Sequence, residues 1–289
     1  MSRFFCDSNG EIWYSRFDRL GVEFIQMPYT VDGEEKFYDL GRETDNKKFF
    51  DAMRGGAYVK TQALNEANYI EYFEPVLAKG EDIIYVHFSR EMSGTFNSMD
   101  SAIAALKEKY PDRKITTVDT LNISMGAGMV MYFAAKLHNE GASDEEVVKF
   151  VESFRKRVKV YFTVADLVYL KRGGRLSAFK AMMGTIFNLK PIITTNPEGK
   201  LVNILNAKGR KKALHTLVDY LDSDKLDTSY PISLVNADSP EDAKMTAELI
   251  KEKYPDAEIW EQLVGPVIGC HCGPDTIGLI FVAKESEQE

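Results

Sequence analysis

What the chain lacks narrows its function first. Three cysteines among 289 residues are too few, and odd in number, for a disulfide framework, which fits a reducing cytoplasm. No run of about 18 apolar residues occurs, so no segment is expected to span a membrane. The apolar stretch of Met1-Ser-Arg-Phe-Phe-Cys-Asp7 is too short for a secretory signal. Positive charge is in deficit: 36 Lys+Arg against 44 Asp+Glu leave a net charge of −8. That excludes the broad basic footprint of non-specific nucleic-acid binding. There is no phosphate loop of the Gly-x-x-x-x-Gly-Lys-Ser/Thr type, no Gly-x-Gly-x-x-Gly, and no Cys-x-x-Cys pair to begin a zinc site.

What is present is an ordinary globular composition, 44% hydrophobic and 28% charged, long enough for two modest domains. Strand-like and helix-like segments alternate, which predicts an α/β fold built mainly on a parallel sheet. Strands are expected at 4–6, 57–59, 82–88, 114–118 and 158–164, and helices at 47–53, 69–77, 96–110 and 125–138. A hairpin centres on Asp32-Gly33. Ser143-Asp-Glu-Glu146 reads as a capping box for a helix reaching Arg157. Beyond Gly173-Gly174 the pattern is less regular, with helices at 165–172 and 177–187 and strands at 189–194, 200–205, 231–235, 258–263 and 276–283. We place a domain boundary near Thr163, giving an N-terminal α/β domain, 1–163, and a second α/β domain, 164–289. The hexapeptide Lys-Glu-Lys-Tyr-Pro-Asp occurs at 107–112 and again at 251–256. Both copies read as helix stops rather than as traces of a duplication.

Candidate chemistry gathers where strands end. Ser93-Gly94-Thr95 follows a strand and opens a helix, so it is either a helix cap or an anion site. Thr61, in Lys60-Thr61-Gln62, carries the same two readings. His271 lies in Gly265-Pro-Val-Ile-Gly-Cys-His-Cys-Gly-Pro274, bracketed by glycines that permit close approach. It reads as a hydrogen-bonding partner for an oxygen ligand, a catalytic base or a core residue. Three consecutive residues at 270–272 do not converge on one metal ion. A Ser93–His271 hydrolase is conceivable, although Glu91-Met-Ser-Gly-Thr95 lacks the glycines of a nucleophile elbow. Met182, Met183, Ile186 and Phe187 would line an adaptable apolar pocket or simply fill the core. Arg172, Arg175, Lys208 and Arg210 are either solvated faces or a dock for something acidic.

Taken in order, Cys6-Asp-Ser8, Lys60-Thr-Gln62, Phe88-Ser-Arg-Glu-Met-Ser-Gly-Thr95, Val118-Asp-Thr120, Leu170-Lys-Arg-Gly-Gly-Arg175, Leu189-Lys-Pro191 and the glycine-rich 265–274 segment resemble the DegV family of bacterial fatty-acid-binding proteins. The resemblance spans nearly the whole chain. It implies two α/β domains with a long-chain fatty acid between them and no cofactor. The carboxylate would be held by Thr61, Ser93 and His271, with Gly94, Thr95 and nearby backbone N–H groups in support. It further implies a carrier role in phospholipid metabolism, in which a separate fatty acid kinase phosphorylates the bound acid. Arg172, Arg175, Lys208 and Arg210 would then dock that kinase. A lipid-bound sensor or scaffold is the other non-enzymatic reading. This sequence departs from the family pattern at Cys6 (threonine in the family), at Lys60-Thr-Gln-Ala63 (Thr-Ser-Gln-Pro) and at Asp275 (glycine).

Overall fold

The computed structural model describes residues 2–174 and 189–285. In chain order its strands are β1 (Arg3–Asp7), β2 (Glu23–Ile25), β3 (Pro28–Val31), β4 (Glu34–Phe37), β5 (Val59–Thr61), β6 (Ile83–His87), β7 (Ile115–Asp119), β8 (Val158–Thr163), β9 (Leu189–Thr195), β10 (Leu201–Lys208), β11 (Ile232–Asn236), β12 (Ile259–Leu263) and β13 (Ile277–Val282). The expected helix at 177–187, with Met182, Met183, Ile186 and Phe187, lies outside the described residues, as does Arg175.

The first sheet has the order β2-β1-β6-β7 and is parallel throughout. Parallel neighbours need crossover connections, and here those carry helices. Buried on both faces, β6 is a mainly apolar run closed by His87, with every residue inside. The helix Thr95–Lys109 links β6 to β7, and the helices Met125–Asn139 and Asp144–Arg157 follow. The capping box forms as expected: Glu146 accepts the Ser143 N–H at 2.8 Å, and Ser143 Oγ accepts the Glu146 N–H at 3.3 Å. The hairpin at Asp32-Gly33 joins β3 to β4, and β5 pairs on the other side of β3. The strand expected at 57–59 is therefore displaced, and Thr61 lies on β5 rather than in a loop after it.

The second sheet has the order β10-β9-β8-β13-β11-β12, and only β11 and β12 run parallel. The mainly parallel sheet expected of the N-terminal domain is thus the first sheet, whereas the second sheet, whose strand directions the pattern left open, is mainly antiparallel. The turn at Pro197-Glu198-Gly199 returns the chain as an antiparallel hairpin, and β13 inserts between β8 and β11 from the far end of the sequence. The boundary near Thr163 is also displaced. Because β8 already belongs to the second sheet, sheet membership changes after the helix Asp144–Arg157. The hexapeptide echo is a shared stop: both helices end in a tyrosine cap with nearly equal backbone angles, φ −127°, ψ 65° at Tyr110 and φ −132°, ψ 74° at Tyr254.

Candidate ligand-binding site

The glycine-bracketed stretch is a short helix, Pro266–Cys272, placed directly after β12. Proline at its first position suits a helix start, where no backbone donor is needed. The loop closing on a ligand that the glycines suggested is not what forms. A Cβ at Gly265 would lie 2.3 Å from the Tyr38 ring, one at Gly269 2.8 Å from Phe49, and one at Gly273 2.2 Å from Tyr169. The glycines let aromatic rings press against this helix and so fix its position. His271 occupies its last turn, with Gly173 packed against the ring; a Cβ there would stand 2.1 Å from Nδ1. His271 Nε2 and Thr61 Oγ1 share a hydrogen bond of 3.1 Å, so β5 and this helix meet at that pair. Gly173→Ala is expected to displace the imidazole and to destabilise the protein by about 1–2 kcal/mol, the cost of modest overpacking. Urea unfolding and the His271 imidazole NMR signals would measure both effects.

Gly94 is the N-cap of the helix Thr95–Lys109 and makes no side-chain cap bond; Ser93 precedes it, accepts the Thr95 N–H at 3.2 Å, and also lines the cavity described next. Gly94 is exposed and borders an outer groove with Ser93. Thr95 does not serve as a ligand donor. It is 1% exposed, and its hydroxyl bonds the Leu64 carbonyl at 3.3 Å and the Tyr69 hydroxyl at 3.1 Å. A helical residue one step past the turn points back into the core, which the linear motif does not reveal.

Thr61, Ser93 and His271 converge on one cavity with about 960 Å³ of atom-free space, its opening to solvent included. Its apolar walls come from both halves of the chain: Met27, Phe88 and Ile123 on one side, Val160, Leu201, Val235, Val267 and Ile280 on the other. The polar lining falls into two groups. Thr61, Ser93 and His271 are partly exposed and Gln62 is exposed, whereas Asn9, Ser124 and Thr276 are buried. Among the described residues no charged side chain lines the cavity. Thr61 and His271 bond each other, and Ser93 bonds the Thr95 backbone, so Ser93 and His271 are engaged in separate hydrogen bonds rather than in a nucleophile–base pair.

Behind Ser124 lies a group that sequence reasoning missed. Glu11 is fully buried at φ 57°, shares a hydrogen bond with Ser124 Oγ, and accepts the Gly265 N–H at 2.6 Å. Its backbone carbonyl accepts from Gln262 Nε2 at 2.5 Å. It therefore ties the N-terminal half to the start of the His271 helix. Burial pushes the Glu11 carboxyl up to about 8, against the pull of Ser124 and the Gly265 N–H. Burial likewise pushes Asp7 up to about 7, although the Phe88 N–H, the Tyr85 hydroxyl and the Asn9 N–H pull it down. Nothing in the local sequence marks a buried acid at Glu11, because its only signature is a left-handed backbone at a non-glycine residue.

The two raised carboxyls set a pH dependence. Each binds its proton more tightly in the folded state, so its stabilising contribution is complete below the ordinary carboxyl range and is lost as pH rises toward 8. His87 acts in the opposite sense: burial lowers it to about 4, so its contribution is present above 6.5 and is lost as pH falls from there through about 4. Between pH 6 and 8 the two carboxyls outweigh it. The urea midpoint is expected to fall from pH 6 to pH 8, and Glu11→Gln should remove more than half of that fall. An unchanged slope in the variant would show that Glu11 is ionised across this range.

Of the basic candidates, Arg172 and Lys208 are exposed, with the Arg172 guanidinium 5.9 Å from the Tyr169 ring centre. Arg210 is not available for docking. Its Nε bonds Asp242 at 2.8 Å, and its Nη2 bonds the Asp275 carbonyl. Asp275, standing where the family pattern has glycine, takes φ 61° and pairs with Arg54 at 2.8 Å. Cys270 and Cys272 are buried, and burial pushes both thiols up to about 12. Among the described residues no cluster of three or more His, Cys, Asp and Glu is placed to hold a metal ion, and no helix is long and apolar enough to cross a membrane.

Both halves of the chain thus contribute walls to one largely apolar cavity with a hydroxyl–imidazole rim. The chain belongs to the DegV family, whose model, described as uncharacterised protein of the DegV family, matches residues 5–284. It is 35% identical over 284 residues to a DegV domain-containing protein of Clostridium perfringens, covering 98% of each chain. A fatty-acid-binding DegV family protein of Thermus thermophilus superposes with a TM-score of 0.83 at 26% identity, over 98% of this chain and 99% of the other. DegV of Bacillus subtilis, a fatty acid binding protein, superposes at 0.82 and 27% identity, again over 98% and 99%. Both sheets and the alternating α/β architecture are thus those of DegV structures.

Proposed function

We propose that this protein binds a long-chain fatty acid in the cavity between its two larger sheets and carries it in the cytoplasm to a partner fatty acid kinase. The observation that carries the reading is the division of the cavity lining. Long apolar walls drawn from both halves end at a partly exposed rim of Thr61, Ser93 and His271. An acyl chain contributes about 0.8 kcal/mol per buried methylene. The apolar walls therefore dominate affinity, and the rim orients the carboxylate through hydroxyl and imidazole hydrogen bonds. The fatty acids bound by the Thermus and Bacillus proteins support the same choice of ligand.

In this reading the chain supplies no catalytic group; the kinase brings ATP and transfers the phosphoryl group to the presented carboxylate. Separate engagement of Ser93 and His271 disfavours the hydrolase alternative. Delipidated protein titrated with oleate should take up one equivalent and should not hydrolyse chromogenic esters in a Ser93-dependent manner. Esterase turnover lost in Ser93→Ala would replace this reading with the hydrolase. Arg172 and Lys208 remain the docking candidates. Arg172→Glu with Lys208→Glu should slow phosphorylation by the kinase roughly tenfold through lost charge complementarity, without changing oleate affinity.

A further inference from the structure

The buried side of the cavity is not purely apolar. Asn9 lines it, is 6% exposed, and its side-chain Oδ1 has no hydrogen-bond partner. The residue is held in place by its backbone, because Asp7 accepts the Asn9 N–H at 3.0 Å at the start of the Ser8–Gly10 turn. Ser124 also lines the cavity, is 8% exposed at φ 52°, and donates its hydroxyl to Glu11. A saturated tail, a methyl branch or a double bond offers these groups nothing. An unsatisfied buried amide selects for a ligand that can meet it. A hydroxyl can give a proton to the amide oxygen and can also accept from a donor, so it matches a carboxamide and a serine equally well.

We propose that this inner wall selects acyl chains bearing a hydroxyl group, so that the preferred ligand is a hydroxy fatty acid with Asn9 as the specificity-determining residue. The proposal rests on the fatty-acid reading above. The test uses delipidated full-length protein and competition binding of stearic acid against hydroxystearic acids with the hydroxyl moved along the chain. At least one positional isomer should bind about tenfold more tightly than stearic acid, equivalent to about 1.4 kcal/mol. Asn9→Leu should abolish that preference while leaving stearic acid bound as well or better. If no isomer outcompetes stearic acid on the unmodified protein, the proposal fails, whether or not the variant folds. An unchanged preference in Asn9→Leu also overturns it. If stearic acid and every isomer fail to bind, the fatty-acid reading falls with it; stearic acid binding without any hydroxyl preference overturns the inner-wall proposal alone.

Discussion

Leu201→Trp is expected to weaken oleate binding by roughly thirtyfold while leaving the urea midpoint nearly unchanged. Leu201 opens β10, an edge strand, and is half-buried where the cavity meets the outer groove. An indole there projects into the space an acyl chain would fill and displaces two or three methylenes. At about 0.8 kcal/mol for each, the loss is about 2 kcal/mol, which is roughly thirtyfold in Kd. Edge position and partial exposure let the strand accept the larger side chain without repacking the core. Fluorescent fatty-acid displacement would measure the affinity. Unchanged oleate binding with an indole at the junction would place the acyl chain somewhere other than this cavity.

Ser93→Ala and His271→Ala should divide retention from presentation. Most of the binding free energy lies in the acyl chain, so either variant should lose less than about tenfold in oleate affinity, the loss of one ordinary hydrogen bond. Transfer of a phosphoryl group depends instead on where the carboxylate sits, and a misplacement of about 1 Å costs on the order of a hundredfold. Kinase-coupled turnover should therefore fall about a hundredfold while oleate remains bound. His271→Ala should also free Thr61 Oγ1 from its 3.1 Å bond. Loss of oleate binding outright in either variant would contradict this division of labour.

Much of the fold was legible because its signals are local. The buried run of β6, the capping box at Ser143 and the Asp32-Gly33 hairpin each depend on residues within a few positions of one another. What the sequence did not reveal depends on distant partners. The antiparallel second sheet arises because β13 enters between β8 and β11, and no pattern within those strands specifies their neighbours. The helix Pro266–Cys272 was hidden by its own glycines, which weigh against a helix by propensity but are required by the rings of Tyr38, Phe49 and Tyr169.

At the site, the residues taken from the family resemblance fare differently according to their backbone. Thr61, Ser93 and His271 line one cavity, whereas Thr95 turns into the core and Arg210 is held by Asp242. Those two side chains are set by helix geometry and by a partner far away in sequence. The Glu11–Ser124–Gly265 tie was invisible for the same reason: a buried acid at a distance of 113 and 254 positions from its partners leaves no linear signature.

The central claim is that the cavity between the two larger sheets holds a long-chain fatty acid. Denaturing extraction of the purified protein, followed by mass spectrometry of the organic phase, tests it most directly. About one equivalent of fatty acid per chain is expected, with a lower yield from Leu201→Trp. A protein that yields no lipid and also takes up no added oleate would contradict it.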